Sequence, residues 1–316
     1  MNKDLLSIND LTVEEMQIAF RRADEIRKDM KRYENLLKGK VLAMIFEKPS
    51  TRTRVSFEVG MRQLGGNGIY MNSNDLQLSR GESIKDTAKT LERYVDGIVA
   101  RVYRHRDIAE LASHTKLPVI NALSNLEHPC QALADMYTIR EKKKALKGLK
   151  FAYVGDGRSN VTHSLMLACT KLGMNMYIAC PEKYGPDKEI LKQTEQNTKK
   201  FWSTLKIVPT VKQAVTNADV IYTDTWVSMG DEADEKKRNK ELKPYQLNSD
   251  AVKLAKKDCI VMHCLPAHRG HEITDEVMDG PNSVVFDQAE NRLHVQKAIL
   301  SMMLREPPRQ QFRPFY

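Results

Sequence analysis

The sequence predicts an α/β protein of two doubly wound domains, each a parallel sheet with helices on both faces, with the active site expected in the cleft between them. Three observations lead there. Short apolar, β-branched runs alternate with helical periodicity nearly throughout, the pattern of strands covered on both faces. A charged, glycine-containing stretch at 142–150 interrupts that alternation near the middle. The chain has 316 residues, and at roughly 100–200 residues per domain that length suits two domains.

Taken in order, the first element is a helix, because Thr12-x-x-Glu15 is a capping-box pattern. The opening residues lack the apolar core of a signal peptide, and their early acids argue against a transit peptide. Strands are expected at 41–46, 69–71, 97–102 and 118–121, with helical patterns at 55–64, 83–94 and 130–143. After the break, strands are expected at 151–154, 176–179, 206–208, 220–223, 259–263 and 283–286. Helices belong at 162–172, 251–256 and 289–304, the last stopped by Pro307-Pro308. The domains are therefore set at 1–146 and 147–288, with the terminal segment 289–316 packing back on the first.

Composition narrows the classes. Hydrophobic residues make up 41% and charged residues 29%, the balance of a globular protein rather than a disordered one. No apolar run reaches the roughly 18–20 residues that cross a bilayer, so no membrane partner is expected. Fifty Lys and Arg against 41 Asp and Glu leave a net charge of +9, which raises nucleic acid as a partner. The distribution argues against it. The densest charged stretch, 231–243, cancels locally, and the lysines at 142–144 end a predicted helix, where cations suit the macrodipole. Small anionic substrates remain. Five cysteines without CxxC spacing indicate free thiols in a reducing cytoplasm. His263, Cys264, His268 and His271 could supply zinc ligands, but Pro266 and Gly270 break the segment and no zinc spacing appears. No metal is expected.

Ligands of doubly wound sheets sit at the carboxyl ends of the strands, and nearly every unusual polar cluster falls there. The first is Lys48-Pro-Ser-Thr-Arg-Thr-Arg54, between a buried strand and a helix. Its hydroxyls can cap the helix, its N–H groups face an anion, and Arg52 and Arg54 add forked donors suited to phosphate. It is not a P-loop, since GxxxxGK[ST] is absent. The second is His128-Pro-Cys-Gln131. Pro129 suits the first helical position, so His128 sits at the N-cap edge, either as a structural cap or as a neutral imidazole able to polarise a carbonyl. The third, Gly155-Asp-Gly-Arg-Ser-Asn160, starts like a dinucleotide fingerprint but has Asn at position 160 and no acid closing the next strand. A turn presenting Asn160 to a ligand serves equally. Two more clusters, Asp224-Thr-Trp-Val-Ser-Met-Gly230 and His263-Cys-Leu-Pro-Ala-His-Arg-Gly270, bring an Asp and a Cys to one sheet edge. They could hold an amine; alternatively Asp224 caps a helix and Cys264 is a small buried hydrophobe.

With these motifs in this order, the sequence resembles the transcarbamoylase family over essentially its whole length. The phosphate motif STRTR stands at 50–54 and HPxQ at 128–131. Ser-Met-Gly at 228–230 with Asp224, HCLP at 263–266 and the Arg of AENRLH, Arg292, resemble the ornithine branch; the aspartate branch carries HPLPR instead. The resemblance implies carbamoyl transfer from carbamoyl phosphate to the δ-amine of L-ornithine, giving L-citrulline and phosphate, in arginine biosynthesis. It implies no metal or organic cofactor. Carbamoyl phosphate is expected on Ser50, Thr51, Arg52, Thr53, Arg101, His128, Gln131, Leu265 and Arg292, with Gln77 reaching in from a neighbouring subunit. That makes a homotrimer, or a higher assembly of trimers, the working form. Ornithine is expected on Asn160, Asp224, Ser228, Met229 and Cys264. The catalytic set is then Arg101, His128, Asp224, Cys264 and Arg292. An alkyl amine has a reference pKa near ~10.4, so the site must select or produce its free base. Attack on the carbonyl creates an oxyanion for Arg101, His128 and Arg292 to stabilise. The charge run after 230 reads either as a solvated helix or as part of a lid over ornithine. The remaining alternatives are a carbamoyltransferase for another amine, such as putrescine or an N-acylated ornithine, and a dehydrogenase using the Gly-Asp-Gly turn.

Overall fold

A computed structural model describes residues 2–227 and 232–304 of the chain. The first half contains α1 (Val13–Lys28), β1 (Val41–Phe46), α2 (Thr51–Gln63), β2 (Asn67–Asn72), α3 (Ile84–Leu91), β3 (Gly97–Arg101), α4 (His105–Ser113), β4 (Val119–Leu123) and α5 (Pro129–Lys143). The second half runs β5 (Lys150–Val154), α6 (Asn160–Lys171), β6 (Asn175–Ala179), α7 (Lys188–Phe201), β7 (Thr204–Val208), α8 (Val211–Val215) and β8 (Val220–Thr223). It continues with α9 (Glu235–Leu242), α10 (Ser249–Lys253), β9 (Ile260–His263), α11 (Asp275–Met278) and α12 (Val285–Met303).

The strands form two all-parallel sheets, ordered β2-β1-β3-β4 and β7-β6-β5-β8-β9. The apolar runs explain the burial: β4, β8 and β9 are buried at every residue, although β4 and β9 end their sheets, as strands covered on both faces must be. The exposed positions fall on β2 and β7, at the opposite ends of the two sheets. In each sheet the order reverses direction once, between β1 and β3 and between β5 and β8. At such a switch point neighbouring loops diverge and leave a crevice.

Helices α5 and α6 pack on each other at the junction of the halves. One continuous apolar cluster joins Phe46 and Ile120 of the first half to Tyr153 and Met262 of the second. Helix α12 lies against α1, α2 and α5.

One expected strand is absent. The run 283–286 is β-branched enough to read as a strand, yet only Ser283 forms an isolated bridge, with Val261. Helix α12 begins at Val285, so Phe286 is helical and largely exposed. Buried Gln288, Asn291 and Arg292 draw that segment into a helical register, and tertiary packing overrides the local propensity. The helix expected at 55–64 starts at Thr51, because Ser50 caps it by accepting from the Thr53 N–H at 3.4 Å. The Thr12–Glu15 capping box forms in both directions.

Candidate active site

The two switch points face one cleft of about 580 Å³ between the halves. Ser50, Thr51, Arg52, Thr53, Arg101, His128, Gln131, Asn160, Asp224, Cys264, Leu265 and Arg292 all line it. They come from the ends of β1, β3, β4, β5, β8 and β9 and from the middle of α12. One expected residue is elsewhere. Gln77 opens a short 3-10 turn, Gln77–Arg80, and is not among the lining residues. Ser228 and Met229 lie outside the described residues.

Arg54 does not join the arginines. Two residues apart on a helix, Arg52 and Arg54 point in different directions. Arg54 stacks 3.8 Å from the Tyr70 ring centre and faces Glu58 instead. Lys48, Thr225 and His268 also line the cleft without having been assigned to a substrate from sequence. All three sit inside strand-end clusters, so position was the available signal.

Three guanidinium groups dominate one wall. Burial lowers the pKa of Arg101 to about 10, helped by the nearby charges of Arg292 and Arg52. Burial also lowers Arg52, opposed by Cys264 and Asp224. Arg292, buried on α12, donates to Gln131 Oε1 and, at 3.2 Å, to Thr53 Oγ1. Its Nε–H has no partner among the described residues.

His128 occupies the N-cap position of α5, yet its side chain makes no capping bond. Its backbone N–H donates to Ser164 Oγ at 2.8 Å, and that hydroxyl donates to Glu127 at 3.0 Å. The ring Nδ1 has no partner among the described residues. Burial, followed by Arg292, Arg101 and Arg52, holds the imidazole pKa well below its usual 6.5. The neutral ring expected from a helix N-terminus therefore has a stronger cause, since desolvation and three cations act together.

The opposite wall holds Asp224 and Cys264. The thiol donates to Asp224 Oδ1 at 2.9 Å, and the Thr225 N–H donates to the same oxygen at 2.8 Å. Burial raises both pKa values, and the carboxylate raises the thiol's further. The pair thus offers an acceptor surface for one cation. Leu265 takes a left-handed φ of 58°, costly for a residue with a Cβ and typical of functional turns. Asn160 begins α6 and donates to the Ser124 carbonyl, tying the two halves together at the cleft floor.

Asp224, His263 and Cys264 bring potential metal-ligand atoms within 4.8 Å of one another. Both His263 nitrogens are already engaged: Nδ1 accepts from the Leu265 N–H at 2.9 Å and Nε2 lies 3.2 Å from Glu272. With the thiol proton on Asp224, this trio is a hydrogen-bonded set rather than a free ligand set.

The Gly-Asp-Gly turn has its own explanation. A Cβ on Gly157 would stand 2.7 Å from the Tyr184 carbonyl oxygen, so close packing requires the glycine. Asp156 in that turn forms a buried ion pair with Arg238 of α9, which also donates to the Trp226 carbonyl at 2.7 Å. The charge run is thus not wholly solvated, because its single arginine serves the interior.

Comparison with known proteins decides the family. The family model "Aspartate/ornithine carbamoyltransferase, carbamoyl-P binding domain" matches residues 3–141, and "Aspartate/ornithine carbamoyltransferase, Asp/Orn binding domain" matches 147–303. The chain belongs to the aspartate/ornithine carbamoyltransferase family. It is 55% identical over 304 residues to the ornithine carbamoyltransferase of Thermococcus kodakarensis, covering 96% of each chain. Identity and coverage are the same for the anabolic ornithine carbamoyltransferase of Pyrococcus furiosus. The solved ornithine carbamoyltransferase from Pyrococcus furiosus superposes with a TM-score of 0.92 at 55% identity, over 95% of this chain and 96% of that one.

Proposed function

We propose that the cleft transfers the carbamoyl group of carbamoyl phosphate to the δ-amine of L-ornithine, giving L-citrulline and phosphate, in the direction of arginine biosynthesis. The observation that carries this reading is the polarity of the cleft: guanidinium groups and a neutral imidazole on one wall, a carboxylate–thiol pair on the other. The first wall suits a phosphate dianion and a developing oxyanion; the second suits an alkylammonium.

In this scheme the half 1–146 takes carbamoyl phosphate and the half 147–288 takes ornithine. The α2 N-terminus, with Ser50, Thr51, Arg52 and Thr53, holds the phosphate. Arg101, His128, Arg292 and the Leu265 backbone surround the carbonyl oxygen, and Gln131 meets the carbamoyl amine. Asp224 and Cys264 receive the δ-ammonium, with Asn160 and the segment containing Ser228 and Met229 at the α-amino-acid end. The δ-ammonium first gives one proton to solvent; the free δ-amine then attacks the carbonyl carbon, and the electron pair moves onto oxygen. Collapse breaks the bond to phosphate, and the proton lost from the new C–N bond's nitrogen leaves on that phosphate. No metal enters the scheme. Each donor at the oxyanion contributes about 3–4 kcal/mol to lowering the barrier.

Gln77, outside its own chain's cleft, is assigned to the site of a neighbouring copy in a cytoplasmic homotrimer. Co-expressing Gln77→Ala with Arg52→Ala tests this, since mixed trimers should regain activity that neither parent has. Among the described residues no helix is long and apolar enough to cross a membrane.

The deciding assay measures citrulline and phosphate formed from carbamoyl phosphate with ornithine, beside aspartate, putrescine and N-acetylornithine. No turnover with ornithine would sink the proposal. Arg52→Ala should weaken carbamoyl phosphate binding, whereas Cys264→Ala should keep that binding and lose ornithine affinity or rate. The same defect in both would refute the division of labour between the walls.

A further inference from the structure

Behind the arginine wall lies a buried polar chain that runs from one half to the other. Asp135, one helical turn after Gln131 on α5, is fully buried. Its Oδ1 accepts from Gln131 Nε2 at 2.8 Å and from Gln288 Nε2 at 2.7 Å. Its Oδ2 accepts from the Tyr222 hydroxyl at 3.0 Å.

Both ends of this chain are groups that can only donate. At one end the His263 backbone N–H donates to Gln288 Oε1 at 2.9 Å, so the Gln288 amide must turn its nitrogen to Asp135. At the other end Arg292 donates to Gln131 Oε1, so the Gln131 amide must also turn its nitrogen to Asp135. A carboxylate oxygen between two side-chain amide nitrogens accepts from both and leaves the second oxygen for Tyr222. Burial raises the Asp135 pKa to about 7. A proton would sit on Oδ2, where the Tyr222 oxygen can accept it, and would leave Oδ1 and both amides as they are.

We infer that Asp135 is a positioning residue that locks Gln131 with its amide oxygen toward the cleft, and that this lock makes the cleft prefer a carbamoyl to an acetyl group. The inference rests on the proposed carbamoyl transfer. A carbamoyl group carries N–H donors that the Gln131 oxygen can accept; an acetyl group presents a methyl there. With Asp135 gone, the buried Gln131 nitrogen loses its acceptor and only Arg292 still holds the amide, so the lock is weakened from two contacts to one. In the reversed fraction its N–H groups face both the carbamoyl amine and Arg292, donor against donor, and in the unreversed fraction a buried N–H is left unpaired. Acetyl phosphate, contributing no N–H, would sense little of this.

The test measures the dissociation constant of carbamoyl phosphate and the inhibition constant of acetyl phosphate in Asp135→Leu and Asp135→Asn. In Asp135→Leu carbamoyl phosphate should weaken about tenfold or more, the scale of one oriented hydrogen bond exchanged for an unpaired one. Acetyl phosphate should change by less than about twofold. Asp135→Asn should keep near-parent selectivity, because its Oδ1 still accepts from both amides while Tyr222 accepts from its nitrogen. If Asp135→Leu does not fold, Asp135→Ala, which leaves room for water, is read the same way. Equal weakening of both phosphates, or unchanged selectivity in the folded Leu or Ala variant, would make Asp135 a packing residue and overturn the inference. Loss of selectivity in Asp135→Asn would overturn it too. Absence of citrulline formation by the parent protein would instead overturn the proposed reaction, so the two failures are distinct.

Discussion

Replacing Arg292 with Met should separate activity from stability. The guanidinium is buried at the cleft wall and spends two N–H groups on Gln131 and Thr53. Losing those bonds costs about 1.5–3 kcal/mol each as charge-assisted contacts. Against that, no carboxylate pairs directly with it among the described residues, and Arg52 lies close enough to oppose its charge. Arg292 in turn is the charge that, after burial, does most to lower Arg101. Desolvating such a cation costs several kcal/mol, and well-packed apolar replacements of buried charges are often neutral or stabilising. The two sides nearly cancel, so the thermal midpoint should stay level or rise. Activity should not follow. If Arg292 donates to the oxyanion, its loss removes about 3–4 kcal/mol, or roughly 10²–10³ in kcat. Arg292→Lys keeps the charge without the fork and should recover only part of this. The assay is steady-state citrulline formation per folded molecule, with thermal unfolding followed on the same samples. A kcat within tenfold of the parent, or a lowered midpoint with unchanged kcat, would refute the reasoning.

His128 keeps its proton off when folded, because its pKa lies well below the ordinary 6.5 of the unfolded chain. As pH falls through about 6.5 the unfolded chain therefore binds a proton that the folded one refuses, and stability declines. Denaturant unfolding at pH 7.5 and 5.5 should show a smaller loss in His128→Gln; an equal loss would remove His128 from the acid sensitivity. Arg238→Met leaves Asp156 buried without its cation and should cost about 3–5 kcal/mol in urea unfolding. Adding Asp156→Asn should restore much of that; strict additivity of the two changes would deny the coupling.

What the amino-acid order determined by itself is local. Continuous apolar runs specify buried parallel strands, since their faces need cover on both sides, and the polar residues that follow each run mark the carboxyl edge. Hence the Ser50–Arg54 cluster after β1, His128 after β4 and Cys264 after β9 were legible in the sequence. The run 283–286 shows the limit, because the same β-branched residues enter α12 once buried partners further along claim a helical register. Tertiary structure alone decided which polar groups meet. Arg292 and Thr53 are 239 positions apart, and Asp135 joins Gln288 from 153 positions away. Arg54 looked like Arg52 in the motif, yet the turn of the helix sends it to Tyr70. Arg238 looked like surface charge until Asp156 drew it inside. Charge and hydrogen-bond energies depend on distance and burial, which no linear spacing encodes across separate elements. The opposed walls of the cleft, and the direction in which Gln131 points, exist only once the two sheets are folded against each other.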